Sequence, residues 1–150
     1  MLIVVFTGNF MIKEKLSNRY DRALAASTNS QRIYKAYRKK DKVDVDYEIF
    51  STAAVKAFEL AYETFWKYLK FYMEYQGILD IPSSPRAVFA FALQHNILNN
   101  HEVSILDEAA RDRNLSSHMY AQETAEEILQ DIPEAIQLFA LLLHKLTPDK

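Results

Sequence analysis

Residues 55–77 decide the fold, and they read VKAFELAYETFWKYLKFYMEYQG. Large apolar and aromatic side chains recur there every three or four residues, at Val55, Phe58, Tyr62, Phe65, Leu69 and Tyr72. This spacing places them on one face of an α-helix. Because glycine readily adopts the left-handed backbone that ends a helix, Gly77 is the expected end point. The stretch therefore predicts one helix over residues 46–75, about 45 Å long.

Further helices are predicted on both sides of this one. Upstream, the apolar spacing from Met11 predicts one helix, or two with a break at residues 27–30. Downstream, the Ser84-Pro85 pair opens a short helix, because serine caps helices and proline fits their first position. Two more are expected at about residues 101–113 and at about residues 122–146, the second of them bent by its internal proline. The fold class is therefore all-α, an antiparallel up-and-down helical bundle of about five helices.

Size and composition point to a single domain. The chain has 150 residues, and domains most often have about 100–150. Residues 11–150 are expected to form the bundle, whereas residues 1–10 are an extra segment of unclear role, either an upstream start or an added strand. No stretch approaches the ~18 uninterrupted apolar residues that a membrane span needs. We therefore expect no membrane association and a cytoplasmic location.

Several classes of site are excluded by residue type. The chain has two glycines, too few for a Gly-rich phosphate loop or a dinucleotide-binding fingerprint. It has no cysteine, which excludes a disulfide framework, a thiolate zinc site and a cysteine nucleophile. No cofactor and no metal are expected.

A basic cluster lies before the long helix, at Arg32, Lys35, Arg38, Lys39, Lys40 and Lys42. Such clusters can contact nucleic-acid phosphates. They also occur at solvated helix ends, where cations complement the negative pole of the helix dipole. One short basic run is weak support for nucleic-acid binding, so we favour the helix-end interpretation.

The segment with the most chemistry is residues 110–120, ARDRNLSSHMY. Arg113 and His118 are five residues apart at a predicted helix end, where both could face one pocket. An imidazole can act as general base or acid, and a guanidinium can stabilise charge on phosphate oxygens, which together suit RNA cleavage without a metal. A two-fold dimer would supply two copies of His118, one for each proton transfer. Alternatively, Arg113 caps the helix and His118 makes a structural hydrogen bond; the residues alone leave both interpretations open.

Four side chains of the long helix are candidates to line the same cleft: Glu59, Glu63, Trp66 and Lys67. Glu63 and Lys67 are four residues apart, which by itself indicates an ordinary helix ion pair. Burial of Glu63 beside Trp66 would instead make its carboxyl a candidate for a raised pKa.

Parts of the chain resemble a known family. Residues 58–63 and 66–70, FELAYE and WKYLK, look like the long-helix signature of the nucleotidyltransferase substrate-binding family. Residues 85–89, PRAVF, resemble the short helix that follows it. Residues 112–120 and 123–128 are similar to its C-terminal signature. The resemblance covers about residues 50–145.

These are the HepT-like proteins of the HEPN class. Their ribonuclease pattern reads here Arg113-Asn114-x-x-x-His118, with Tyr120 completing the longer form. The resemblance implies a dimeric helical bundle encoded beside a minimal nucleotidyltransferase. It also implies that Arg113, Asn114 and His118 are catalytic toward RNA, and that the transferase silences this toxin by adding AMP to Tyr120.

Two other functions stay open at this point. In the same family the helical protein is also viewed as a non-catalytic substrate-binding subunit of a two-component nucleotidyltransferase. The third hypothesis is a structural interaction bundle with no chemistry. It would hold if both Arg113 and His118 are buried or used in capping.

Overall fold

The structure is a computed structural model that describes the backbone of residues 2–118 and 122–149, and the side chains of those ranges from residue 8 onward. Every regular element in this part of the chain is a helix. In chain order they are α1 (Leu2–Arg38), α2 (Tyr47–Tyr75), α3 (Pro85–Gln94), α4 (Asn100–Ser116), α5 (Gln122–Asp131) and α6 (Pro133–Lys145). The predicted all-α bundle is confirmed.

The central helix of the bundle is α2, which contacts all five of the other helices. The predicted apolar stripe forms its buried face, and none of the six stripe residues is more than 8% exposed. The helix ends as expected, because Gly77 has a φ of +82°. The next amide, that of Ile78, donates to the carbonyl of Met73 at 3.1 Å, which closes the final turn.

The first helix differs from the prediction. α1 runs without interruption from Leu2 to Arg38, so of the two alternatives the single helix is confirmed, whereas the start at Met11 and the strand option for residues 1–10 are wrong. The helix continues through residues 27–30 because this stretch contains neither glycine nor proline. Ser27 and Ser30 are instead buried, at 2% and 0% exposed, where small side chains let helices pack closely.

Helices α1 and α2 run antiparallel. Near their connection the rings of Tyr37 and Tyr47 are 5.8 Å apart, and farther along Tyr20 lies 5.4 Å from Tyr68. From one contact to the next, the residue number falls along α1 and rises along α2, as in an antiparallel pair of helices. The start of α5 also contacts α2, because the side-chain amide of Gln122 donates to the hydroxyl of Ser51 at 2.9 Å.

The C-terminal part contains two helices where one bent helix was predicted. α5 ends at Asp131, and α6 restarts at Pro133 in its first turn. Proline lacks the amide hydrogen that a continuous helix would use, so the chain restarts at the position where this donor is not needed. The α6 side chain Phe139 is fully buried and lies 5.1 Å from the ring of Phe65.

The short helices begin much as the sequence indicates. Ser84 is the N-cap of α3, with extended backbone, and Pro85 occupies its first turn. For α4 the sequence prediction missed the cap: the Asn99 side chain accepts from the Glu102 amide, and the Glu102 carboxylate accepts from the Asn99 amide. α4 also extends to Ser116, three residues past the predicted end. None of the helices in the described ranges is long and apolar enough to cross a membrane.

The basic cluster lies at the end of α1 and in the connection to α2. Lys40 pairs with Asp46, the N-cap residue of α2, at 2.7 Å. Lys42 pairs with Glu126 of α5 at 3.2 Å. These contacts attach the connection to α2 and α5.

Candidate functional site

The Arg113 side chain projects from the last turn of α4 onto α2, where two carboxylates meet it. Its Nη1 lies 3.7 Å from Glu59 Oε2, and its Nε lies 3.4 Å from Glu63 Oε1. Glu59 and Glu63 are one helical turn apart, so both face the same neighbour. Arg113 is 27% exposed, and its Nε is buried without a hydrogen-bond partner among the described residues. The guanidinium is thus held by charge between two carboxylates, and the side chain stays partly exposed.

Glu63 links this arginine to the other predicted side chains of α2. Its Oε2 accepts a hydrogen bond from the indole Nε1 of Trp66 at 3.0 Å and lies 3.7 Å from Lys67 Nζ. Glu59 likewise pairs with Lys56 at 3.2 Å. The structure therefore brings Glu59, Glu63, Trp66, Lys67 and Arg113 into one connected cluster, which we call the arginine cluster.

Ser116 also contacts Arg113, and the sequence analysis missed it. Arg113 Nη1 donates to the Ser116 hydroxyl at 3.4 Å, and this hydroxyl donates to the Arg113 carbonyl at 2.7 Å. Ser116 is 3% exposed, so the bond is shielded from water. Its spacing of three residues from Arg113 within a helix was the available signal. The arginine therefore takes its partners from α2 and from its own last turn.

The other three predicted site residues are Asn114, His118 and Tyr120, and the first two are not part of the arginine cluster. His118 is exposed in the turn after α4, and its amide donates to the Leu115 carbonyl at 3.1 Å. Asn114 is exposed on α4. Within the described residues, no hydrogen bond or ion pair joins the side chain of Asn114 or His118 to Arg113. Tyr120 lies outside the described residues.

Arg113 and His118 are therefore presented differently. Arg113 is partly buried and oriented by fixed partners, whereas the imidazole of His118 is available to solvent on the next turn of the chain. A positioned cation can bind a phosphate, and an accessible imidazole can exchange protons with it. α4 ends at Ser116, so His118 lies two residues beyond the helix that carries Arg113.

Asp112 is a buried carboxyl directly beside this arginine in sequence. It is 3% exposed, and burial raises the pKa of its carboxyl from 3.8 to about 7, with a further rise from nearby Asp131. Arg111 acts in the opposite direction. Between about pH 4 and pH 7 the native state keeps a proton that the unfolded chain has released. Stability is therefore lost as the pH rises through this range.

We expect Asp112→Asn to stabilise the protein at pH 8, because the neutral amide needs no proton and has nearly the same shape. The expected gain is about 1 kcal/mol or more, or about 2–4 °C in Tm for a chain of this size. The gain should shrink as the pH is lowered from 8 to 4. Thermal unfolding of both proteins across this range checks it, and a gain that does not change with pH would contradict the assignment.

Comparison with known proteins agrees with this arrangement of helices. No curated protein matches the chain. A crystal structure of a protein from Thermus thermophilus has a similar fold, with a TM-score of 0.62 and 24% identity over 78% of this chain and 98% of that one. A family model described as nucleotidyltransferase substrate binding protein like matches residues 15–148. That match spans α2 to α6 and most of α1, including the whole arginine cluster, and the chain therefore belongs to the nucleotidyltransferase substrate-binding-like family.

Proposed function

We propose that this chain is the helical partner of a separate minimal nucleotidyltransferase in the cytoplasm, and that it is an RNA-cleaving toxin which the transferase silences. Membership of the substrate-binding-like family supports the link to a transferase. The observation that carries the cleavage proposal is the exposed His118 following an arginine that Glu59 and Glu63 hold in place.

Cleavage would proceed by attack of a ribose 2′-hydroxyl on the adjacent phosphorus. The hydroxyl proton passes to a general base as the new oxygen–phosphorus bond forms, and the leaving 5′-oxygen takes a proton from a general acid. His118 acts in these transfers, and Arg113 stabilises the charge that develops on the phosphate oxygens. Asn114, exposed one residue from Arg113, orients the substrate. No step requires a metal.

One imidazole per chain cannot easily serve as base and acid in the same step. A homodimer with two-fold symmetry would place two copies of His118 at one cleft, because such an interface presents the same surface twice. The proposed active form is therefore a homodimer. Silencing would occur when the transferase attaches AMP to Tyr120, two residues from His118. Intact-mass measurement of the chain after coexpression tests this modification, with Tyr120→Phe as the variant that stays unmodified.

The experiment that tests the proposed function is growth of cells expressing this chain. Wild type and His118→Ala are each expressed alone and together with the genomic neighbour. A toxin requires slow growth with wild type alone, relief by the neighbour, and normal growth with His118→Ala. Slow growth that persists with His118→Ala at equal protein levels would overturn the catalytic role of this residue.

A second candidate function is a non-catalytic subunit that presents a substrate to the transferase. It is favoured by one feature of the arginine cluster: Glu59 and Glu63 already offset the charge of Arg113 within the chain. Such a neutralised guanidinium orients a ligand better than it stabilises added negative charge. Harmless wild type that still copurifies with the transferase would favour this function over the toxin.

A further inference from the structure

A groove between α1 and α2 carries cations that the proposed cleavage chemistry does not use. Two adjoining cavities of about 180 Å³ and 260 Å³ share Arg19 and Lys67 in their walls. Arg22 lines the first cavity, and Lys70 lines the second. Among the described residues that line them, Glu74 is the one acid. We call this surface the α1–α2 groove; it is positively charged on a chain whose net charge is −2.

Two of these cations are not consumed by ion pairs in the described part of the chain. Arg19 and Arg22 are exposed and lie one helical turn apart on α1, whereas Lys67 and Lys70 are each within 4 Å of a glutamate of α2. Exposed cations can contact the phosphates of a nucleic acid, and the counterions condensed on the nucleic acid are released when they do.

Two aromatic rings lie beside cations in the groove. The guanidinium carbon of Arg19 lies 4.9 Å from the centroid of the Phe71 ring, and Lys67 Nζ lies 5.8 Å from the Trp66 ring. Both rings are partly exposed. Unpaired bases stack on aromatic rings and on guanidinium planes, while cations follow the phosphates. This mixture fits a single strand of nucleic acid better than it fits an isolated anion.

The groove is continuous with the arginine cluster. Lys67 Nζ and Trp66 Nε1, both in the groove wall, lie 3.7 Å and 3.0 Å from Glu63 Oε2. The other oxygen of Glu63 lies 3.4 Å from Arg113 Nε. The groove and the arginine cluster therefore meet at Glu63, whose carboxylate is offset by Lys67 on the groove side and by Arg113 on the other.

We propose that the α1–α2 groove binds the backbone of single-stranded RNA and leads it to Arg113 and His118, with Arg19 and Arg22 as phosphate contacts. This inference rests on the proposed function in one respect, namely that the bound strand leads to an active site at Arg113 and His118. The binding itself is a separate property of the groove and can be measured without cleavage.

The test is fluorescence anisotropy with a labelled oligouridylate of about 12 nucleotides, a length within the usual range for single-strand binding grooves. All proteins carry His118→Ala, so the probe stays intact. Arg19→Gln/Arg22→Gln should raise the Kd by about 10-fold or more. The slope of log affinity against log salt should fall by about 1.4, since each lost phosphate contact on a single strand contributes about 0.7.

The matched control is Lys35→Gln/Lys39→Gln. It removes the same charge from exposed positions at and just after the C-terminal end of α1, away from the residues that line the groove, and should leave the Kd and the salt slope nearly unchanged. Arg22→Gln alone keeps the contact of Arg19 with Phe71 and should lower the slope by about 0.7. Circular dichroism confirms that each variant keeps its helices.

Equal Kd values for the groove variant and its control would overturn the proposal. The proposal would also be overturned if Arg19→Gln/Arg22→Gln kept its RNA affinity but no longer bound the nucleotidyltransferase. The groove would then bind a protein partner. If the groove variant loses RNA binding while the chain with His118 restored never cleaves RNA, the groove proposal stands and the ribonuclease proposal fails. If cleavage requires His118 but the Kd for RNA does not change when Arg19 and Arg22 are replaced, the ribonuclease proposal stands and the groove proposal fails.

Discussion

Replacing Phe139 by alanine is expected to lower the free energy of unfolding by about 3–5 kcal/mol. Phe139 is fully buried on α6, and its ring lies within 6.5 Å of the ring centroids of three α2 residues, Phe58, Tyr62 and Phe65. Truncation removes the apolar transfer energy of the ring and leaves a cavity between the two helices. Close packing on both sides limits how far the cavity can collapse. Urea unfolding followed by circular dichroism measures the loss.

Leu141→Ala is the matched control for this prediction. Leu141 lies on the same helix but is 63% exposed, so its truncation should change the stability by no more than about 0.5 kcal/mol. A loss of less than about 1 kcal/mol for Phe139→Ala would contradict the assignment of this ring to the centre of the core.

The second large effect is expected on RNA cleavage. His118→Ala should lower the cleavage rate of the purified chain by on the order of 100-fold or more, because general acid–base catalysis by a positioned side chain typically contributes that much. The rate of the wild-type chain should be the same with and without EDTA, since no step uses a metal. The measurement is single-turnover cleavage of a labelled RNA at matched protein concentration.

His101→Ala is the control for that substitution. His101 is exposed in the first turn of α4, the opposite end of the helix that leads to His118, and its removal should leave the cleavage rate unchanged. His118 is itself exposed, so the fold should survive its truncation and the two variants should unfold at the same temperature. A wild-type rate for His118→Ala would show that the activity comes from other residues.

The helices could be predicted wherever a local signal was strong. The apolar stripe of α2, the left-handed Gly77 and the Ser84-Pro85 start of α3 each depend on residues within a few positions of one another. The sequence left one or two helices open in the region of α1 because Ser27 and Ser30 look like loop residues by composition. Their burial against the bundle, a tertiary effect, keeps the helix continuous.

The candidate site was predictable in part for the same reason. Glu63, Trp66 and Lys67 lie within one turn of α2, so their mutual contacts follow from helical spacing. Ser116 was missed although its spacing from Arg113 was visible, because serines near a helix end have several common roles. The groove of Arg19 and Arg22 was missed because its two walls are about 45 residues apart in sequence.

By itself the sequence determined the all-α class, the central helix and the identity of the arginine and histidine that are candidates for chemistry, because helix periodicity and the family pattern are both local properties of the chain. Only the tertiary structure decided that Arg113 lies between Glu59 and Glu63 while His118 stays exposed. Those contacts join residues some 50 positions apart, and they depend on how α4 packs against α2. The periodicity of either helix alone does not specify that packing.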